Sequence, residues 1–243
     1  YGKPAGIIAS LIPTTNPDLT PAGTAINAIK ARDVVIFSPH PRSKQTTNKT
    51  VELMREALRK EGVNPDVLQC LKGNPNKAMS MAVAAEADLV MATGGQNVVR
   101  RVYTAGTPAY GVGAGNSSMV IDETADIKEA ARNTMLSKTS DFGSGCSADG
   151  NLVIEASIFD KMVKELQNVG GYLANEKEKE ALKKVMWDEN GKRLADTVAI
   201  AATQLAKIAG FEIPEDRKFI MVMGDGIGEE HLFSHEKLTT LLA

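Results

Sequence analysis

Short apolar runs alternate with longer amphipathic stretches through the first hundred residues of this chain. The apolar runs predict buried strands at residues 5–12, 34–37, 67–71 and 89–92. The stretches between them have helical spacing; Val51, Met54 and Leu58, for example, share one helix face, and Gly62 lies just past the end of that helix. Strands that alternate with helices predict βαβ units, and therefore a parallel sheet covered on both faces.

Two dipeptides predict helix starts. Thr20-Pro21 is typical of an N-cap followed by proline at the first helical position, and it predicts a helix that ends near residue 31. Asn74-Pro75 repeats this signal before a stretch rich in alanine and methionine.

The loops that follow the strands are the first candidates for a ligand site. Ligands of open parallel sheets bind beyond the carboxyl ends of the strands, so the loops at Asn16, His40 and Gly94 are predicted to lie along one edge. Thr93-Gly94-Gly95 follows a strand and opens a helix, whose first N–H groups and dipole attract phosphate. An ordinary tight turn is the alternative for these three residues.

A glycine-rich segment at residues 111–115 marks a change of organisation. It is not a dinucleotide fingerprint, because the sixth position is Asn116 and a strand rather than a helix is predicted to follow. Further strands are predicted at 119–121, 152–155 and 219–223, with helices at about 127–138 and around Met162, Leu182 and Ala202. We therefore place a domain boundary between residues 115 and 116.

The two cysteines have different surroundings. Cys146 lies in a run of small residues, Phe-Gly-Ser-Gly-Cys-Ser at 142–147, which leaves a thiol accessible and suits a nucleophile. The alternative is a buried structural cysteine, which is the interpretation we give to Cys70 within the predicted third strand. Two cysteines cannot form a disulfide framework, so a reducing cytoplasm is expected.

Composition excludes several classes of function. The 28 Lys and Arg residues nearly balance the 30 Asp and Glu residues, and a net charge of −2 argues against a nucleic-acid partner. The chain is 43% hydrophobic and 24% charged, as in globular proteins, and no apolar run approaches the roughly 18 residues that span a membrane.

Two catalytic motifs are incomplete or missing in the sequence. His235-Glu236-Lys237-Leu238 begins like a zinc-protease helix but lacks the second histidine, so no metal site is predicted. A Gly-x-Ser-x-Gly motif is also missing, so the sequence does not support a serine hydrolase.

Seven segments occur in an order that carries a family resemblance. They are Ile-Pro-Thr-Thr-Asn-Pro at 12–17, Ile-Phe-Ser-Pro-His-Pro-Arg at 36–42, Ala-Thr-Gly-Gly at 92–95, Gly-Val-Gly-Ala-Gly-Asn at 111–116, Ser-Lys-Thr at 137–139, Cys146, and Ser-His-Glu-Lys-Leu at 234–238. In this the chain resembles the aldehyde dehydrogenase superfamily, and within it the CoA-acylating branch. The resemblance implies an open parallel α/β dinucleotide-binding domain at 1–115 and an α/β catalytic domain at 116–243. Both domains are expected to be incomplete, because family members extend beyond each end, and the whole protein is expected to be a homo-oligomer.

The resemblance also implies residue roles. Cys146 matches the nucleophile that attacks the aldehyde, and Asn16 matches the amide that stabilises the oxyanion together with the Cys146 N–H. The cofactor, NAD or NADP, is implied to contact Ser38 and Pro39 at the adenosine ribose, Thr93, Gly94 and Gly95 at the pyrophosphate, and Glu236 at the nicotinamide ribose.

One departure bears on the reaction. Hydrolytic members carry a glutamate that activates water, and the corresponding position here is Val112, which cannot accept a proton. Because water then attacks the cysteine thioester slowly, coenzyme A can accept the acyl group instead. The resemblance therefore implies oxidation of a short-chain aldehyde to its acyl-CoA. The same residues can serve the reductive direction, and a catalytically idle dinucleotide-binding or assembly module is a further alternative.

The aldehyde and the dinucleotide stay open. Ser144 and Ser147 beside the cysteine suit a short polar or anionic tail such as that of sulfoacetaldehyde or succinic semialdehyde, and acetaldehyde is an equal alternative. The cationic candidates for an anionic tail are Arg100, Arg101 and Lys138. No acidic residue near Ser38 clearly matches one that would repel a 2′-phosphate, and Arg42 is a candidate to attract one.

Overall fold

The computed structural model describes residues 2–73 and 75–243. These residues divide into two compact units, which meet in sequence between Ala114 and Gly115. Asn74, which the sequence predicts as a helix cap, lies outside the described residues. Among the helices that are described, none is long and apolar enough to cross a membrane.

The first unit contains a five-stranded parallel sheet with helices on both faces. Its strands are β1 (Ile7–Leu11), β2 (Val34–Ser38), β3 (Leu68–Cys70), β4 (Leu89–Thr93) and β5 (Ala109–Val112). Its helices are α1 (Leu19–Ala31), α2 (Lys44–Lys60), α3 (Lys77–Glu86) and α4 (Gln96–Tyr103). The strand order is β3-β2-β1-β4-β5 and every pair is parallel, which confirms the predicted sheet.

The core of this unit has two layers, one on each face of the sheet, and the side chains of the central strand β1 alternate between them. Ile8 packs with Val35, Phe37 and Val51 on one side of the sheet. Ala9 and its neighbours Val90 and Ala92 form a second cluster. Successive side chains of a strand point to opposite faces, so an uninterrupted apolar run is what a sheet covered on both faces requires.

The predicted starts of two helices need correction. Helix α1 begins at Leu19, because the Asp18 carboxylate caps it by accepting the Leu19 N–H at 2.8 Å, so the Thr20-Pro21 prediction is wrong. Pro21 is tolerated as the third residue, since the first-turn N–H groups of a helix have no partner within it. Helix α3 begins at Lys77, and the Asn76 side chain caps it by accepting the Met79 N–H.

The second unit is also built from parallel strands. Its strands are β6 (Ser117–Ile121), β7 (Asp149–Ile154), β8 (Gly171–Leu173), β9 (Phe219–Met221) and β10 (Leu241–Leu242). Its helices are α5 (Ile127–Thr139), α6 (Phe159–Asn168), α7 (Glu176–Met186) and α8 (Ala202–Ile208). Strand β6 pairs with β7, and β9 lies between β8 and β10. Ala243, which follows β10, accepts the Leu152 N–H of β7 at 2.7 Å, so the two sets of strands meet there.

Candidate active site

A cleft of about 380 Å³ lies at the carboxyl edge of the first unit's sheet. Its lining brings together all five residues of this unit that the resemblance assigns to the cofactor: Ser38, Pro39, Thr93, Gly94 and Gly95. His40, from the second predicted loop, lines it as well. The predicted assembly of distant loops at one sheet edge is thus present.

The start of α4 lies at this cleft and offers it backbone N–H donors. Gly95 is the N-cap of α4 and no side chain caps the helix, so its first N–H groups have no side-chain acceptor. A β-carbon at Gly95 would meet no atom within 4 Å, which leaves open space above these donors. Unpaired N–H groups and the positive end of the helix dipole are what a pyrophosphate requires.

The charges in the cleft favour a phosphorylated ligand. No carboxylate is among the described residues that line it, and its lysine and arginine side chains are Lys77 and Arg101. His40 has a lowered pKa because burial and the neighbouring Arg42 both disfavour its protonated form. Arg42 itself is not among the described lining residues, so the predicted partner of a 2′-phosphate is not part of this cleft.

Asn16 stands apart from the cleft lining, although Pro13 and Thr14 of the same loop belong to it. The Asn16 carbonyl accepts the Thr20 N–H at 3.3 Å, which ties this loop to the start of α1. Within the described part of the chain, the Asn16 amide group has no hydrogen-bond partner, so it is available to a ligand.

Cys146 lies on a tightly folded turn in the second unit. Three successive residues before it, Asp141, Phe142 and Gly143, have φ between +47° and +67°, a left-handed conformation that is costly for the first two. After them, Ala148 donates its N–H to the Gly145 carbonyl at 3.0 Å and closes the turn around Cys146. The Cys146 side chain is exposed. The accessible thiol predicted for this position is therefore present.

The base of this turn is fixed by two polar residues. Ser137 of α5 donates to the Asp149 carboxylate at 3.1 Å and accepts the Asp149 N–H at 3.0 Å, which joins the two ends of the turn. Cys70 of β3 is half-buried rather than fully buried as predicted. This burial still raises the pKa of the Cys70 thiol to about 11 and leaves almost no thiolate at neutral pH.

Glu236 lies on the segment that precedes β10. Its carboxylate is half-buried, and burial raises its pKa, while the Gly115 N–H and the charge of Arg193 oppose that shift. The next residue, Lys237, is only 1% exposed, and its Nζ donates to the Asn151 side chain and to the His235 carbonyl. Leu238 follows with φ +50°.

Three buried or half-buried cations lie around this segment. Burial lowers the pKa of Lys237 to about 7 and that of Lys138 to about 8. Burial also lowers the pKa of Arg193 to about 10, with Glu236 opposing the shift. At 1% exposure, Lys138 does not reach solvent as an anion-binding side chain would, whereas Arg100 and Arg101 are both exposed.

Sequence reasoning did not identify Arg193 or the buried state of Lys237. Both residues occur in polar stretches, and lysine and arginine side chains are almost always exposed. No group of three metal-ligating side chains was found among the residues that the structure describes.

Comparison with known proteins places these features in a family. The sequence model of the aldehyde dehydrogenase family matches residues 1–209. The chain therefore belongs to the aldehyde dehydrogenase family.

Individual relatives confirm the resemblance to its CoA-acylating members. The chain is 37% identical over 246 residues to a sulfoacetaldehyde dehydrogenase of Acholeplasma sp, covering 100% of this chain and 50% of that protein. An acetylating aldehyde dehydrogenase from Geobacillus thermoglucosidasius has a TM-score of 0.92 and 37% identity, covering 99% of this chain and 53% of that one. A Rhodopseudomonas palustris propionaldehyde dehydrogenase, with bound CoA and an acylated cysteine, has a TM-score of 0.87 and 28% identity. The match covers 99% of this chain and 55% of that one. The chain spans about half the length of these relatives.

Proposed function

We propose that the gene product containing this chain is a CoA-acylating aldehyde dehydrogenase. The observation that carries the proposal is the exposed thiol of Cys146 on a turn fixed by left-handed residues, in a chain of the aldehyde dehydrogenase family. The bound CoA and acylated cysteine of the Rhodopseudomonas relative support the same assignment.

The chemistry begins at Cys146. Its thiolate attacks the carbonyl carbon of the aldehyde, and the Cys146 N–H takes up the negative charge that develops on oxygen. The resemblance gives the Asn16 amide the same role. Among the described residues no acceptor binds the Cys146 N–H, so this donor is free for the oxyanion. Donors of this kind contribute about 3–4 kcal/mol each.

Residues of the chain then hold the cofactor and direct the acyl group. A bound dinucleotide would supply the hydride acceptor for oxidation at the carbon attached to Cys146. The α4 N-terminus with Gly94 and Gly95 would bind its pyrophosphate, Ser38 and Pro39 its adenosine ribose, and Glu236 its nicotinamide ribose. The resulting thioester meets no base at Val112, so water attacks it slowly and the thiol of CoA takes the acyl group.

Substrate and cofactor are proposed only as classes. A short aldehyde fits the small residues around Cys146, with sulfoacetaldehyde, succinic semialdehyde and acetaldehyde as candidates. The cleft lacks carboxylates among its described lining residues and therefore does not repel a 2′-phosphate. NAD and NADP are both retained as candidate cofactors. Both cysteines are free thiols, in keeping with a reducing cytoplasm, and the homo-oligomer stays a prediction.

Initial rates with a panel of aldehydes test the proposal. Each aldehyde is supplied with NAD or NADP, with and without CoA, and reduction of the dinucleotide and acyl-CoA formation are both measured. We expect CoA-dependent turnover that Cys146→Ala abolishes and Cys70→Ala retains. Turnover that survives in Cys146→Ala, or free carboxylate released equally fast without CoA, contradicts the proposal. A wild-type protein that binds dinucleotide without turnover supports the idle module instead.

A further inference from the structure

The backbone on both sides of Glu236 is held by hydrogen bonds to its carbonyl groups. Asn116 Nδ2 donates to the Ser234 carbonyl, and Lys237 Nζ donates to the His235 carbonyl at 2.9 Å. Arg193 Nε donates to the Lys237 carbonyl at 2.9 Å. We call Asn116, Arg193 and Lys237 the carbonyl clamp.

Each clamp residue also has a partner outside the Glu236 segment. Asn116 Nδ2 donates to the Asn151 side chain at 3.2 Å. Lys237 Nζ also binds the Asn151 side chain on β7. The Arg193 guanidinium donates to the Met186 carbonyl at 3.0 Å and to the Thr197 carbonyl at 2.9 Å, and it lies 5.7 Å from the centre of the Trp187 ring. The clamp therefore connects the Glu236 segment to β7 on one side and to the end of α7 on the other.

Packing alone does not explain a lysine at position 237. Burying an amino group costs free energy that a methionine or leucine of similar volume would not cost. Leu238, next in the chain, is also held in a left-handed conformation, φ +50°, and its carbonyl accepts the Ala199 N–H at 2.9 Å. Buried polar groups beside a strained backbone are typical of positions where geometry serves function.

We propose that Lys237 is a positioning residue, whose amino group, held by Asn151, fixes the backbone beside Glu236 and thereby presents the Glu236 carboxylate to the nicotinamide ribose. This inference rests on the proposed function, because it takes Glu236 as the ribose ligand. Lys237 does not touch the cofactor in this scheme; it acts through Glu236 and the His235 carbonyl.

Kinetics of Lys237→Met, Glu236→Ala and the double variant test the inference. We expect Lys237→Met to raise the KM for the dinucleotide about tenfold and to leave the KM values for aldehyde and CoA within about twofold. We expect the double variant to match Glu236→Ala, because a residue that acts through Glu236 has nothing left to position. Lys207→Met, at an exposed lysine of α8, is the control and should change no KM.

Other results decide against the inference. Equal increases in all three KM values, or effects of Lys237→Met and Glu236→Ala that add in the double variant, indicate a general structural role. If Lys237→Met does not fold, Asn151→Ser, which removes the amide acceptor, must raise the dinucleotide KM selectively. If the wild type shows no turnover, the proposed function fails, and the Kd for reduced dinucleotide, measured by its fluorescence, decides the inference by the same comparisons.

Discussion

The carbonyl oxygen of Thr239 lies against the α-carbon of Gly143, so that a β-carbon at residue 143 would stand 2.5 Å from it. The Lys138 carbonyl would lie 2.8 Å from the same β-carbon. The turn that carries Cys146 thus packs directly against the segment that follows Glu236 and against the end of α5. The Cys146 turn and the Glu236 segment therefore pack against each other through the contact between Gly143 and Thr239.

We therefore expect Gly143→Ala to destabilise the second unit by about 2 kcal/mol or more, since the φ of +67° and two backbone clashes oppose a side chain. Denaturant unfolding followed by Trp187 fluorescence measures this, because Trp187 is the only tryptophan of the chain and is buried in the second unit. Gly145→Ala is the matched control, because a β-carbon there meets no atom within 4 Å. Equal stability of the two variants would show that the contact between Gly143 and Thr239 is unimportant.

Thiol alkylation should distinguish the two cysteines. Cys146 is exposed, whereas burial raises the pKa of Cys70 to about 11, so that only about one Cys70 in a thousand is a thiolate at pH 8. We expect iodoacetamide to modify Cys146 at least tenfold faster, as measured by peptide mass spectrometry over time. The Cys146→Ser variant should then show only the slow reaction. Fast labelling of Cys70 in the folded protein contradicts the buried role given to it.

A base introduced at Val112 should redirect the acyl group to water. Val112 is 55% exposed at the end of β5, paired with Thr93, so a charged side chain can be accommodated there. In the full-length gene product, we expect Val112→Glu to increase CoA-independent release of free carboxylate about a hundredfold, the lower end of the range for general-base catalysis. Val112→Gln has the same size without the base and should leave hydrolysis slow. If both variants hydrolyse equally, residue 112 does not face the thioester.

The sequence predicts most of the fold because the strands of the first unit are apolar runs between polar segments. Strands β8 and β10 are not predicted, since three and two residues are too short to show a period. Strand β5 is missed for another reason: Gly111 and Val112 belong to it and to the glycine-rich segment that marks the boundary.

The candidate site divides in the same way. Cys146 and the loops of the cleft can be found from sequence, because small residues and strand-to-helix turns leave a local pattern. The contact between Arg193 and Lys237 leaves none, since it joins residues 44 positions apart. A lysine in a polar run is expected to be solvated, and only the tertiary structure shows Lys237 to be buried.

The burial of Lys237 predicts how stability changes with pH. Its pKa is about 7 in the folded chain, lowered by burial and by the charge of Lys138, and 10.5 in the absence of these effects. Between these values the unfolded chain binds more protons than the folded chain, so Lys237 makes the free energy of unfolding rise with pH from about 7 to 10. Below that window Lys237 is protonated in both states and adds no pH dependence. Unfolding followed by Trp187 fluorescence at pH 6, 7.5 and 9 should show this rise. The slope should be smaller in Lys237→Met and unchanged in Lys207→Met, because Lys207 is exposed. A wild-type slope equal to that of Lys237→Met would mean that Lys237 stays protonated in the folded chain throughout this range.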